Sequence, residues 1–472
     1  MEKTAKFIKK VLFFLVVLLF IFIPLYPKFP LINIKGTFVA IRFEDFIIGL
    51  SVGIWVIYLI ISKQLKFLLK DKLNQAILLF FFVGLVSTFS ASFLTHSVVW
   101  YLSLLHLLRR VEFMILLPVV ATIVTDKKRL IWILSFLILT LILVNIYALG
   151  QQYLDWPVIS TTNSEFSKGL ILRLTPGARV NSTFAGHYDL AVFLAMALVM
   201  LTALFFTVKK RIKVLLLILG GISLLVLIMT AARLSFAAAF IGVIAALLFT
   251  KKRKYIIFII VGLAAILIYP SQLQERFIST ITVNLFHQGQ RYVGQSEDQN
   301  IRSKINIPTL AIKTSSNSAK TSTFSTQSGT ISSDIAPGEP VDTTELGVYR
   351  SFEIRYKIEW PRAIEAFVKN PFLGTGYSSI DIATDNDFLR SLGEVGLLGT
   401  ISFILVFIEI IKRIFSGFKN PDRFLRYFYA GTLAMLIAFL VNGLFIDVFE
   451  ASKVASLFWM MVGLCLAIEQ YS

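Results

Sequence analysis

Runs of about 20 apolar residues, the length that crosses a bilayer, recur along almost the whole chain. They predict an all-α polytopic integral membrane protein with about twelve transmembrane helices. The expected spans lie near 11–26, 43–62, 73–92, 97–125, 129–150, 187–208, 212–229, 232–249, 254–270, 393–411, 424–442 and 451–469. Hydrophobic residues make up 56% of the chain and mean hydropathy is +0.77, far above a soluble domain. Helices 1–9 then occupy residues 1–270, an outer segment takes 271–392, and helices 10–12 fill 393–472.

Charge sets the orientation. With the N-terminus inside, Lys3, Lys6, Lys9 and Lys10 face the cytoplasm, as do Lys63, Lys66, Lys70 and Lys72. Lys127, Lys128 and Arg129 follow, then Lys209, Lys210, Arg211 and Lys213, the run Lys251–Lys254, and Lys412, Arg413, Lys419 and Arg423. Every second loop is basic, as the positive-inside rule requires. The net charge of +18 therefore reflects topology rather than nucleic-acid binding. Both termini are expected in the cytoplasm. The first span lacks a small-residue cleavage pattern and reads as an uncleaved anchor. The lone Cys465 excludes an internal disulfide and reads as packing.

Two substantial loops fall on the outer side. One covers 151–186, inside the first block. The other, 271–392, is a large extracytoplasmic loop before the third-last helix. Its Thr314–Thr330 stretch has 11 Ser or Thr in 17 residues, so 294–346 is expected to be flexible. Over 348–369, Phe352, Tyr356, Trp360 and Phe367 interleave with Arg350, Arg355, Lys357 and Arg362. That pattern predicts an amphipathic helix at the interface, bent or restarted at Pro361.

Chemistry is expected where polar, glycine-rich backbone abuts a span, because such backbone is costly unless it lines a cavity or faces water. Asn370–Thr400 has this character: an Asn-Pro turn, the Gly374-Thr375-Gly376 loop, the Asp385-Asn386-Asp387 cluster, then an apolar helix. One of those carboxylates could be a general base, or the cluster could simply cap the helix. His187 and Asp189 open a span on the same side, where His187 could act as base or donor. Positive charge is expected to be scarce on the outer side, so Arg173, Arg179, Arg233, Arg350, Arg355 and Arg362, which fall there, each need a reason. Singly each could snorkel to headgroups. Together they suggest an anion site, and a diphosphate-linked lipid is the natural anion at that leaflet. Arg109, Arg110 and Glu112 lie near mid-membrane, where an Arg109–Glu112 ion pair is the plainer reading and lining the site the alternative. Glu44-Asp45 could hold a metal but reads more simply as interfacial charge. No Cys/His metal spacing, P-loop or nucleophile elbow is present in the sequence.

Three segments, in order, resemble a known family. They are RVNSTFAGHYDLAVFLAMAL (Arg179–Leu198), LIMTAARLSFAAAF (Leu227–Phe240) and RYKIEWPRAIEAFVKNPFLGTGYSSIDIATDNDFLRSLGEVGLLG (Arg355–Gly399). The chain resembles the O-antigen ligase and O-antigen polymerase superfamily of bacterial membrane glycosyltransferases. The third segment is similar to the family's Arg, Trp, Asn-Pro, Gly-X-Gly, His-Asn and Glu-X-Gly series, which puts Glu394 beside Gly374 and Gly376 as a loop-shaping residue. The second matches the family's Ser-Arg turn, with Ala232 in place of Ser.

The resemblance implies a GT-C-like enzyme in the bacterial cytoplasmic (inner) membrane, its active site facing outwards. The donor would be an undecaprenyl-diphosphate-linked glycan and the acceptor a glycan, lipid or protein, with no nucleotide, metal or other cofactor. Arg179, Arg233 and Arg355 would hold the diphosphate, and Asp385, Asn386 and His187 are the catalytic candidates. Ligases carry His where this chain has Asp385, which favours a polysaccharide polymerase over a ligase. The alternative is a transporter or flippase for lipid-linked oligosaccharide. Against it, the polar groups gather at one face, no internal repeat is visible, and no long cytoplasmic loop joins spans six and seven.

Overall fold

The computed structural model describes residues 2–34, 40–159, 171–174, 179–268, 271–281, 353–380 and 383–469. The expected flexible stretch 294–346 and Arg350 lie outside the described residues. Helices α1 (Glu2–Leu25), α2 (Phe43–Ile61), α3 (Leu65–Lys70) and α4 (Lys72–Phe89, continued as a π-helix over Ser90–Leu94) come first. Next are α5 (Trp100–Ile123), α6 (Lys127–Tyr153), α7 (His187–Phe205), α8 (Lys210–Met229), α9 (Arg233–Phe249), α10 (Ile256–Ile268) and α11 (Gln272–Ile281). A π-helix, Ile354–Glu359, runs into α12 (Trp360–Lys369). The chain closes with α13 (Asp387–Gly417), α14 (Arg423–Asn442) and α15 (Ser452–Glu469). Two short antiparallel pairs, Pro30–Asn33 with Ala40–Arg42 and Val158–Ile159 with Ile171–Leu172, are the described strands.

A helix occupies each of the twelve expected spans. Among the described residues, eight are long and apolar enough to cross a membrane, and Arg233–Phe249 and Ser452–Ala467 are shorter apolar helices. The chain is a multi-pass membrane protein.

At the lysine-rich end the helices start on acidic caps, which meet the unpaired first-turn N–H groups. Asp71 accepts from Asn74 N (3.2 Å), Asp126 from Arg129 N (2.8 Å) and Asp422 from Phe424 N (2.7 Å). Asp71 and Asp422 also pair with Arg413 and Lys127 across helices.

The centre is built on α7, α9, α14 and α15. Small residues let these helices approach closely, the packing mode that serves where lipid is as apolar as the side chains. A Cβ on Gly242 would lie 2.8 Å from Ala438 Cβ, and one on Gly463 would lie 2.6 Å from Leu117 O. Phe439 stacks on Phe458 with centroids 4.1 Å apart and planes 10° apart. This scaffold carries the opposite end of the bundle, where α7, α9 and α13 begin.

Candidate active site

Helix α13 starts at Asp387, ahead of the expected 393, and is interrupted at Gly396 (φ 63°, ψ −165°). The interruption would orphan two carbonyls and two N–H groups of the ladder, each costing about 1–3 kcal/mol when buried. The Asn-Pro and Gly-X-Gly loop takes up all four. Thr375 N and Gly376 N donate to the carbonyls of Gly393 and Glu394 (both 2.9 Å). Leu397 N and Leu398 N donate to the carbonyls of Pro371 (2.8 Å) and Phe372 (3.1 Å). In an unbroken helix Leu397 N and Leu398 N would have bonded to those carbonyls of Gly393 and Glu394. The loop is thus spliced into the helix. Only glycine fits at the crossing: Gly374 has φ +70°, and a Cβ on Gly396 would sit 2.5 Å from Phe372 C. Ser87 Oγ lies 2.6 Å from Leu373 O and 3.0 Å from Glu394 O and bridges loop to helix.

The polar cluster ahead of α13 is held by a residue sequence reading missed. Asp447, in the turn between α14 and α15, accepts from Thr384 N (2.7 Å), Asp385 N (3.2 Å) and Asn386 N (3.2 Å). Its carboxylate also takes Arg390 Nη2 (3.0 Å). Three successive N–H groups converging on one carboxylate set Asp385 at φ +49°. Asn386 Oδ1 caps α13 through Phe388 N (3.1 Å) and Leu389 N (3.0 Å). Asp387 accepts from Val448 N (2.9 Å) and so staples the same turn. Of the three acidic-cluster residues, Asp385 carries its side chain towards the arginines.

Arg355, buried on the π-helix, grips Asp385 Oδ2 with Nε (2.9 Å) and Nη2 (2.7 Å). Arg179 Nη1 lies 2.8 Å from His187 Nε2. A guanidinium can only donate, so Nε2 is the acceptor and the ring is neutral. Arg233 donates to Arg276 O (3.2 Å) and lies within electrostatic reach of Arg355, Arg179 and Tyr188. Arg355 on Asp385 and Arg179 on His187 thus both lie within electrostatic reach of Arg233, which relates arginines from three distant segments. Arg173 is exposed.

Burial pushes the Asp385 carboxyl above its ordinary range; Arg355 opposes that shift and Asp447 reinforces it. Glu359, which sequence reading passed over, is pushed up to about 7, by burial first and then by the Asp385 charge. A carboxyl of that pKa suits proton transfer at neutral pH. Its signal was only its place three residues before Arg362 on an interfacial helix.

Behind the splice, Glu394 is buried and accepts from Ser378 N (3.3 Å). It faces Arg390 (3.4 Å) and Arg110 (3.6 Å), and Arg110 also pairs with Glu450. Arg110 thus belongs to the frame of the site. The expected Arg109–Glu112 pair does not form among the described residues; Arg109 reaches Asp45 (3.9 Å) and Ala40 O (3.4 Å) instead. Asp45 sits one helix over and offers a closer carboxylate than the helix's own Glu112. No group of three or more His, Cys, Asp or Glu suited to a metal occurs among the described residues.

Residues 218–404 match the O-antigen ligase family model. The match supports the O-antigen ligase and polymerase superfamily and, with the membrane-spanning helices, a glycosyl-transferring membrane enzyme. Arg233, Arg355, Asp385, Asn386 and Glu394 fall inside the O-antigen ligase interval. Arg179 and His187 precede it and Asp447 follows it, so the site draws on chain beyond the matched region. No curated protein matches the chain.

Proposed function

We propose that the protein transfers or polymerises undecaprenyl-diphosphate-linked glycan units at the outer face of a bacterial inner membrane. The observation that carries this reading is that Arg355, on Asp385, and Arg179, on His187, both lie within electrostatic reach of Arg233. An acceptor hydroxyl gives its proton to Asp385 and its oxygen attacks the anomeric carbon of the donor. The bond from that carbon to the phosphate oxygen breaks, and the electron pair leaves on the diphosphate. The three guanidinium groups meet the charge that grows there, which is where electrostatic catalysis acts most strongly. They supply the positive charge without a nucleotide or metal.

Arg355 couples the two halves of this step. Its guanidinium neutralises Asp385. A bound diphosphate competes for the same guanidinium, releases the carboxylate and makes it a stronger base. Donor binding thereby arms the base. Asp385 in place of the ligase histidine favours the polymerase over the ligase.

The test is electrophoresis of surface polysaccharide from a deletion strain complemented with wild type, Asp385→Ala or Arg355→Ala. Loss of the long-chain ladder, with single units still on the final acceptor, means polymerase. Long chains accumulating on the lipid carrier mean ligase. Single units trapped on the inner leaflet would mean a flippase and would sink the proposal.

A further inference from the structure

Between Arg179 and His187 the chain is neither helix nor strand, yet Val180–Ala185 is buried throughout. Irregular backbone survives inside a membrane bundle only where its polar groups find partners. Here they find two side chains from remote helices. Gln151, in the last turn of α6, lies along Ser182 like a paired strand: its Oε1 accepts from Ser182 N (2.7 Å) and its Nε2 donates to Ser182 O (3.0 Å). Lys453, fully buried near the start of α15, donates from Nζ to Thr183 O (2.7 Å), Tyr26 O (2.6 Å) and Pro24 O (3.2 Å). An ammonium has three donors, and three carbonyls take them. Thr183 Oγ1 adds a bond to Pro24 O (2.6 Å), and Lys453 Nζ sits 5.0 Å from the centroid of the Phe184 ring.

A buried ammonium is a poor way to stabilise an apolar helix, since a well-packed hydrophobic residue usually does as well or better. Lys453 instead ties the end of α1 to the segment between Arg179 and His187. Gln151 clamps that segment one residue earlier, at Ser182, which has φ +51°. The two residues that bracket the segment are those whose side chains meet at 2.8 Å beside Arg233.

We propose that Gln151 and Lys453 are positioning residues that fix Val180–Ala185, so that Arg179 and His187 present to the donor's diphosphate. The inference rests on the donor-binding role proposed above for Arg179.

The experiment compares purified full-length wild type, Lys453→Met, Lys453→Arg and Gln151→Leu. Hydrogen–deuterium exchange over 180–186 is read alongside undecaprenyl diphosphate binding and transfer kinetics. In Lys453→Met, exchange at 182–184 is expected to speed up while α7 and α15 keep their protection. Undecaprenyl diphosphate binding weakens and kcat/KM falls about tenfold or more, because small misplacements near reacting groups cost that much. Lys453→Arg restores part of both. Should Lys453→Met fail to fold, Gln151→Leu makes the same comparison through Ser182. Unchanged exchange, or faster exchange with undiminished binding, overturns the proposal. A wild type that binds no undecaprenyl diphosphate would instead bring down the donor reading itself.

Discussion

Arg355 holds Asp385 by one carboxylate oxygen, with Nε at 2.9 Å and Nη2 at 2.7 Å from Oδ2. A candidate base and a candidate anion clamp thus meet in one contact. Burial raises the Asp385 pKa and Arg355 restrains it. The carboxylate exists only above that raised pKa, so activity should fall as pH drops through it. Removing the Arg355 charge raises the pKa further, and the acid limb of kcat/KM should move to higher pH in Arg355→Gln. Asp385→Asn should lower kcat by about 10²–10⁴-fold, the range for general-base loss. The limb is read from kcat/KM–pH profiles, which report the free enzyme in which Arg355 holds Asp385, and the Asp385→Asn loss from kcat at saturating donor. An unmoved limb would pass the base role to another group, Glu359 first.

Glu359 allows a stability test with its own sign. Its carboxyl rises to about 7 in the fold from an ordinary 4.5, with burial as the main cause. The protonated form is the favoured one, so its contribution is complete below pH 4.5 and is lost as pH rises through 7. Glu359→Gln keeps the neutral shape at every pH. The variant should melt higher than wild type at pH 8 and equal to it near pH 4.5, in thermal unfolding followed in detergent. The opposite order at pH 8 would contradict the burial argument.

The spliced helix predicts a sharp contrast among glycines. Gly396→Ala must hold φ +63° and place a Cβ 2.5 Å from Phe372 C and 2.6 Å from Gly374 N, both backbone. The left-handed conformation alone costs about 1–2 kcal/mol, and the clash adds to it. A loss of about 3 kcal/mol or more is expected, with transfer abolished. Gly220→Ala, where nothing lies within 4 Å of the new Cβ, should melt like wild type.

Asp447→Ala removes the acceptor of three backbone N–H groups and of Arg390 at once. Arg390 would keep Glu394, at 3.4 Å, and breaking a buried ion pair costs up to about 3–5 kcal/mol. Asp385 would also lose its fixed position. The expectation is reduced yield and Tm, with no transfer by the protein that does fold. Near-normal kcat in Asp447→Ala would show that Asp385 does not need its anchor.

The helices and the arginine segments were legible because each is written locally, in apolar runs and in charge on the arginine-bearing side. The splice at Gly396 was only half legible. Gly374, Gly376 and Glu394 marked the place, but an apolar stretch after Val395 reads as one continuous helix whichever partner its N–H groups choose. Asp447, Gln151 and Lys453 carried no local signal at all. Asp447 sits in LFIDVFE, which matches no motif, and Gln151 reads as the start of a loop, while their partners lie about 60 and 31 residues away in the chain. Lys453 meets Tyr26 across 427 residues. Period and propensity report faces of helices, not which distant carbonyl an ammonium will find.

The most direct test of the central claim uses purified protein in nanodiscs with a synthetic undecaprenyl-diphosphate-linked glycan and an acceptor glycan. Release of undecaprenyl diphosphate is followed in EDTA without nucleotide. Wild type should release it in step with glycan transfer. Arg179→Ala, Arg233→Ala and Arg355→Ala should each lower kcat/KM by about 10²–10³-fold, and exposed Arg173→Ala should match wild type. Transfer that depends on added metal, or survives loss of all three arginines, would contradict the account.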